Sequence, residues 1–401
     1  MMRNAVLFSL TLATAGAGCS WDWERYADHR TGNSATCATG VSDARIARLS
    51  RGIDLYGWLA SPTSFTDFIS DADLKRFAQA GVTFIRASFF NSLPSSGLPA
   101  GLLDPTQPDQ LNETNLVYFR QAVERARTAG LGIVFVPYFD PAYKQQLGDP
   151  TTRASALDAL LRMWKKFGSF IHEYDPDWVF PELMGAPDFT DSEGWNQILL
   201  PLAQTVRQVA PAHTIIADGN SGSYRVNWTS ITALSALQTV QNERNIIYGF
   251  IFFDPVIFTH QGATWRPEWP ELANIHGVPY PSSPELVAPA LPAIADPAAR
   301  ADVEYYGRES WGPDLLSIGL EQVAEWSANN CARVMCVEFG VFRQYSPPDS
   351  AARWVHDART LLEARRIPWS YWSYKEHGGL LPALAGPIFE PAIATSLGLT
   401  P

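Results

Sequence analysis

From residue 51 onward the chain repeats one unit eight times: a short apolar run, a polar turn, then a stretch with helical periodicity. That alternation constrains the fold more than any other feature. The runs are Gly52–Trp58, Thr83–Phe89, Gly132–Tyr138, Trp178–Met184, Thr214–Ala217, Ile246–Phe253, Arg333–Glu338 and Pro368–Tyr374. They are nearly continuous in apolar residues, as strands are when helices cover both faces of a parallel sheet. Between them Leu116, Phe119, Val123 and Ala126 recur on one helical face, with Asn112 placed to cap and Gly130 to stop the helix. Segments 154–174, 193–210 and 349–366 follow the same pattern. Eight alternations without a large break predict an α/β fold, a (β/α)8 TIM barrel in a single domain over residues 49–401. With 46% hydrophobic and 18% charged residues, the 401-residue chain can fill such a core.

The N-terminus reads as an address. Arg3 precedes the apolar run from Ala5 to Ala15, and small residues lead to Cys19. Residues 1–19 are expected to be a signal peptide, too short to span a bilayer, and 20–48 a polar N-terminal extension. Gly16-Ala-Gly-Cys19 loosely resembles a bacterial lipobox, although Gly16 stands where a large aliphatic residue is usual. A lipid anchor at Cys19 is the one expected route to a membrane, and the chain is expected to be secreted or periplasmic, and monomeric.

A net charge of −11 and the absence of a basic stripe argue against nucleic acid. The 14 Trp suit a hydroxyl-rich glycan, whose C–H faces pack on indoles, although most Trp serve as core filler. The spacing of Cys19, Cys37, Cys331 and Cys336 matches no zinc pattern. A Cys331–Cys336 bridge would be strained, and Cys336 reads equally as a buried small apolar residue. The seven His are scattered and no Gly-rich loop follows a strand, so neither metal nor cofactor is expected.

In such a barrel the C-terminal strand ends carry the chemistry. The polar candidates there are Arg86, Asp140, Asp188, Asp218, Asn220, Asp254, Glu338, Lys375 and Glu376, with Trp372 beside the last two. Glu338 ends an apolar run and needs a compensating partner, for which Arg86 is suited. Long connections at 90–111 and 254–316 leave from the same face and are expected to shape a cleft.

Over residues 50–380 these segments resemble glycoside hydrolase family 5, the cellulase and mannanase family. Cys336-Val-Glu-Phe-Gly340 is similar to its nucleophile strand, Ser370–Lys375 to its eighth strand, Phe84-Ile-Arg86 to its second, and Phe250–Ala263 to its sixth. The resemblance implies Glu338 as nucleophile, Arg86 as its charge partner and Trp372 as the sugar platform. It also implies a β-linked polysaccharide or oligosaccharide as ligand. The departures are as informative. Where the family's fourth strand ends in Asn-Glu-Pro, with Glu the acid/base, this chain has Gly185-Ala186-Pro187. Ile251 and Phe253 replace the family's His and Tyr on strand six, and Phe139 stands for the His ending strand three. These three, with Asn220, are the further substrate-binding candidates.

Retaining hydrolysis needs one carboxyl to attack and a second to protonate the leaving oxygen, the two lying about 5–5.5 Å apart. Ala186 has no proton to give. Asp188, Asp218 and Glu309 are the substitute acids the sequence offers, although each also suits a cap, turn or rim charge. Two readings stay open: a hydrolase with relocated acid, and an inactive glycan-binding barrel with a stacking wall. A structural accessory of exopolysaccharide production is a third.

Overall fold

The computed structural model describes residues 40–60, 62–91, 103–104, 107–139, 141–189, 192–220, 243–266, 268–374 and 391–400. Eight parallel strands form the barrel: β1 Arg51–Leu55, β2 Phe84–Asn91, β3 Gly132–Phe139, β4 Val179–Pro181, β5 Ile215–Asp218, β6 Ile246–Phe252, β7 Arg333–Phe339 and β8 Trp369–Tyr371. Hydrogen bonding runs in the order β4-β3-β2-β1-β8-β7-β6-β5. The isolated parallel bridge Glu182–Ile216 then joins the two ends and closes the ring. The eight expected strands are the eight of the barrel, a short antiparallel ribbon of Leu103–Asp104 and Gln107–Leu111 lies in the connection after β2, and the fold is the (β/α)8 TIM barrel.

Local sequence explains the helices around it. Asn112 accepts from the Asn115 amide at the start of Glu113–Ala129, and Gly130 ends that helix in the left-handed region at φ 83°. Helix Arg153–Ile171 buries Leu160 and Trp164, Ser192–Val209 buries Ile198, Leu199, Leu202 and Val206, and Pro348–Ala364 buries Trp354, Ala358 and Leu362. Trp58, Trp164, Trp195, Trp354 and Trp369 are fully buried, so these five are core and not sugar platforms. The connection after β6 is well built: buried Gln261 donates to the carbonyls of Phe258 and Val278 and accepts from the Val278 amide.

At the opposite end of the barrel the helix Asp43–Arg48 precedes β1. Its Arg45 reaches Asp177 at 2.6 Å, Thr214 at 2.9 Å and the Ala212 carbonyl at 2.7 Å. Cys331 is disulfide-bonded and Cys336 is a free, buried thiol, so the two do not bridge each other. The positive φ of 50° at Cys331 turns the chain just before β7, while Cys336 lies inside that strand as a small apolar residue. Cys19 and Cys37 lie outside the described residues, as do the expected signal peptide at 1–19 and most of the expected extension at 20–48.

Strand register fixes which side chains meet inside. Asp54 pairs with Arg86, Arg86 with Val134, and Val134 with Phe180. Since side chains alternate along a strand, Asp54, Arg86, Ser88, Tyr138 and Glu182 share one face. On the other half of the ring Asp218 pairs with Gly249, and Ile251 with Glu338.

Candidate active site

The inward residues build a buried polar cluster around one guanidinium. Arg86 is fully buried and donates from Nε and Nη2 to the two oxygens of Glu182, at 2.8 and 2.5 Å. Its Nη1 reaches Glu338 Oε1 at 2.8 Å and Tyr138 Oη at 3.0 Å, and also pairs with Asp54. Ser88 donates to the other Asp54 oxygen at 2.9 Å. Tyr138 donates in turn to Glu338 Oε1. Both donors to Glu338 thus converge on one oxygen. Among the described residues, none hydrogen-bonds to Oε2.

The cluster holds four carboxyls, Asp54, Glu182, Asp218 and Glu338, against one cation, and all are buried. Were all four ionised, three negative charges would be uncompensated. Burial alone would lower the affinity of Arg86 for its proton, but Glu182, Tyr138, Asp54 and Glu338 keep it firmly charged. Burial pushes Asp54 up to about 7 despite Arg86 beside it, with Glu338 adding to the rise. Burial and then Glu182 push Asp218 well above the usual carboxylate range. No described donor reaches the Asp218 oxygens. Burial likewise raises Tyr138, so it stays a phenol and donor.

Two glycines make room. A Cβ at Gly185 would meet the Tyr138 ring at 2.7 Å, and a Cβ at Gly249 would lie 2.0 Å from Asp218 Oδ1. A side chain at 185 is therefore incompatible with Tyr138 in its place. Ala186, where the family resemblance implies an acid, has φ 45°, and its carbonyl accepts from Lys144 Nζ at 2.8 Å. Lys144 also pairs with Asp188 at 3.0 Å.

The remaining candidates sort by surroundings. Trp372 is half-buried, edge-on to Phe253 at 5.9 Å and to Tyr56 at 6.3 Å. Phe253 is buried between Trp372 and His260, and Phe139 is buried against Tyr143. These two rings brace the wall; they do not form the open stacking face expected of them. Ile251 is buried in register with Glu338. Asn220 spends both ends of its amide on the Phe189 backbone, at 2.8 and 3.0 Å. It thereby ties the 185–189 loop to β5, which is a different task from binding substrate. Glu309 ends the helix Pro297–Glu309 and bonds to Trp311 and Tyr305. Asp140, Lys375 and Glu376 lie outside the described residues.

Asp54, Tyr138, Glu182 and Lys144 escaped the sequence reading. For the first three the signal was available: counting alternate residues from Arg86 across the register leads to each. Among the described residues, no group of three or more His, Cys, Asp or Glu is placed to hold a metal ion.

A closed (β/α)8 barrel with a carboxylate held by Arg and Tyr at the C-terminal end of β7, and a half-buried Trp just past the end of β8, is of glycosidase type. The chain belongs to glycosyl hydrolase family 5, the cellulase family, whose model matches residues 50–378. Endoglucanase C of Acetivibrio thermocellus is 25% identical over 337 residues, covering 81% of this chain and 91% of its own. Among solved structures, endoglucanase Cel5A of Thermotoga maritima has a TM-score of 0.65 at 21% identity, covering 88% and 98% of the two chains. Cellulose synthase subunit Z of Clostridioides difficile has 0.63 at 19%, covering 87% and 99%. These two likenesses speak to the fold.

Proposed function

We propose that the chain is an exported family 5 barrel that binds a β-linked glucan across its mouth, with Glu338 as nucleophile and the acid relocated from position 186. The observation that carries this is the geometry at Glu338. Arg86 and Tyr138 hold Oε1, which leaves Oε2 as the oxygen able to attack an anomeric carbon. The half-buried Trp372 offers the sugar a face. The relatives named endoglucanases support β-glucan as substrate class, and Thermotoga maritima Cel5A takes cellobiose and mannotriose. The disulfide at Cys331 suits an oxidising compartment, consistent with the leader at 1–19.

The test uses a 2,4-dinitrophenyl β-cellobioside, whose leaving group departs without a proton, and its 2-fluoro analogue, which slows the second step. Wild-type protein is expected to release the phenol and to carry a cellobiosyl adduct on Glu338 by mass spectrometry. Glu338→Gln abolishes both. No turnover and no adduct would overturn the reading. That result would favour the second reading, a glycan-binding barrel without hydrolysis, for which Ala186 itself is the supporting observation. A neighbour named as a cellulose synthase subunit makes polysaccharide production one setting for such a protein.

A further inference from the structure

We infer that Lys144 supplies the proton that Ala186 cannot. This rests on Glu338 acting as nucleophile. Lys144 lies in the helix Pro141–Gly148, which follows β3 directly, and its side chain is 14% exposed. Its ammonium is fixed at position 186 by the Ala186 carbonyl at 2.8 Å and by Asp188 at 3.0 Å. An ammonium has three N–H donors, so one stays uncommitted among the described residues. Position 186 is also tied to the nucleophile: its neighbour Gly185 packs on the Tyr138 ring, whose hydroxyl bonds Glu338.

The other proton sources are worse placed. Burial raises the Asp218 carboxyl well above the usual carboxylate range, but it is 2% exposed and lies against Gly249, two residues before the Ile251 that pairs with Glu338. Glu309 is engaged by Trp311 and Tyr305 on its own segment. Asp188 faces the Lys144 ammonium and offers negative charge, not a proton. In that ion pair Lys144 is the member with a hydrogen to give.

The steps balance. Glu338 Oε2 bonds the anomeric carbon as the glycosidic C–O bond breaks. The electron pair stays on the leaving oxygen, which takes a proton from Lys144 and leaves a neutral amine. In the second half the amine takes a proton from water as the water oxygen attacks the anomeric carbon. The bond to Oε2 breaks, and carboxylate and ammonium are both restored. Asp188 and the Ala186 carbonyl position the nitrogen throughout.

The experiment compares wild type, Lys144→Arg and Lys144→Met on aryl β-cellobiosides, from dinitrophenyl to unsubstituted phenyl. Arginine keeps the charge and both acceptor contacts but does not release a proton. Both variants are expected to lose about 10²–10⁴-fold on the phenyl glycoside and far less on the dinitrophenyl one, so dependence on leaving-group acidity steepens. A Lys144→Arg rate equal to wild type across the series would make Lys144 a clamp for the 185–188 loop and overturn the inference. A loss of the same size at every leaving group in both variants would overturn it as well. Either result leaves Glu338 as nucleophile untouched, whereas absence of the wild-type Glu338 adduct overturns both proposals.

Discussion

Tyr138 shows how much one side chain decides here. It accepts from Arg86 and donates to Glu338, and it fills the space in which a side chain at position 185 would stand. A hydrogen bond to a charged group contributes about 1.5–3 kcal/mol. Removing the hydroxyl should therefore slow turnover by about 10- to 10²-fold, because the carboxylate loses a donor that stabilises it as it leaves the sugar. Tyr138→Phe keeps the ring on Gly185, so the fold should persist. The expected result is a fall in kcat on dinitrophenyl β-cellobioside with KM nearly unchanged. An unaltered kcat would show that Arg86 alone sets the state of Glu338.

At the scale of strands, the cluster depends on what neighbouring strands omit. Asp218 fits because β6 carries Gly249 opposite it. Gly249→Ala puts a methyl into the Asp218 carboxyl and near Val337, and overpacking of this kind costs about 1–3 kcal/mol. In an Asp218→Ala background the clashing oxygen is gone, so the same substitution should cost clearly less. Urea unfolding of the four-member cycle reads the difference, and equal costs in both backgrounds would mean that Asp218 is not what occupies the space. Elements of this kind were legible in different degrees. The strands and main helices could be read because burial on both faces writes itself as continuous apolar runs, and caps such as Asn112 and Gly130 are local chemistry. Glu338 and Arg86 stood out as charges in such runs. Tyr138 and Glu182 did not, because a Tyr in an apolar run looks like core and Glu182 lay beside a more conspicuous gap at Gly185-Ala186. Their roles come from register across strands, which no single segment contains. Lys144 was harder still, since its task depends on where a loop from β4 lies against a helix after β3.

Taken as a whole, the molecule places titratable groups of opposite habit at the two ends of its barrel. At the mouth, Asp54 rises from 3.8 to about 7 and Asp218 rises well above 3.8. The folded state binds these protons more tightly than the unfolded chain does. Their contribution is fully present below about pH 4 and is lost as pH rises through the folded values. At the opposite end, where β5 begins, His213 is buried beside His172, Arg45 and Arg207. Burial, with help from these neighbours, lowers it from 6.5 to about 4. The unfolded chain binds that proton more tightly, so this contribution is present above pH 6.5 and is lost as pH falls toward 4. Between about pH 4 and 6.5 the two ends therefore act with opposite sign and offset each other. Single variants should separate them. Asp218→Asn removes part of the mouth contribution and should make stability rise more steeply with pH across this window. It should also leave the protein as stable as wild type, or more so, near pH 8, since the buried carboxyl at 218 then no longer has to hold a proton. His213→Phe removes the other contribution and should make stability fall with pH over the same range, by up to about 3 kcal/mol relative to wild type. Urea unfolding followed by Trp fluorescence at half-unit steps measures both slopes. Slopes of the same sign in the two variants would show that these buried groups do not govern the pH dependence of the fold.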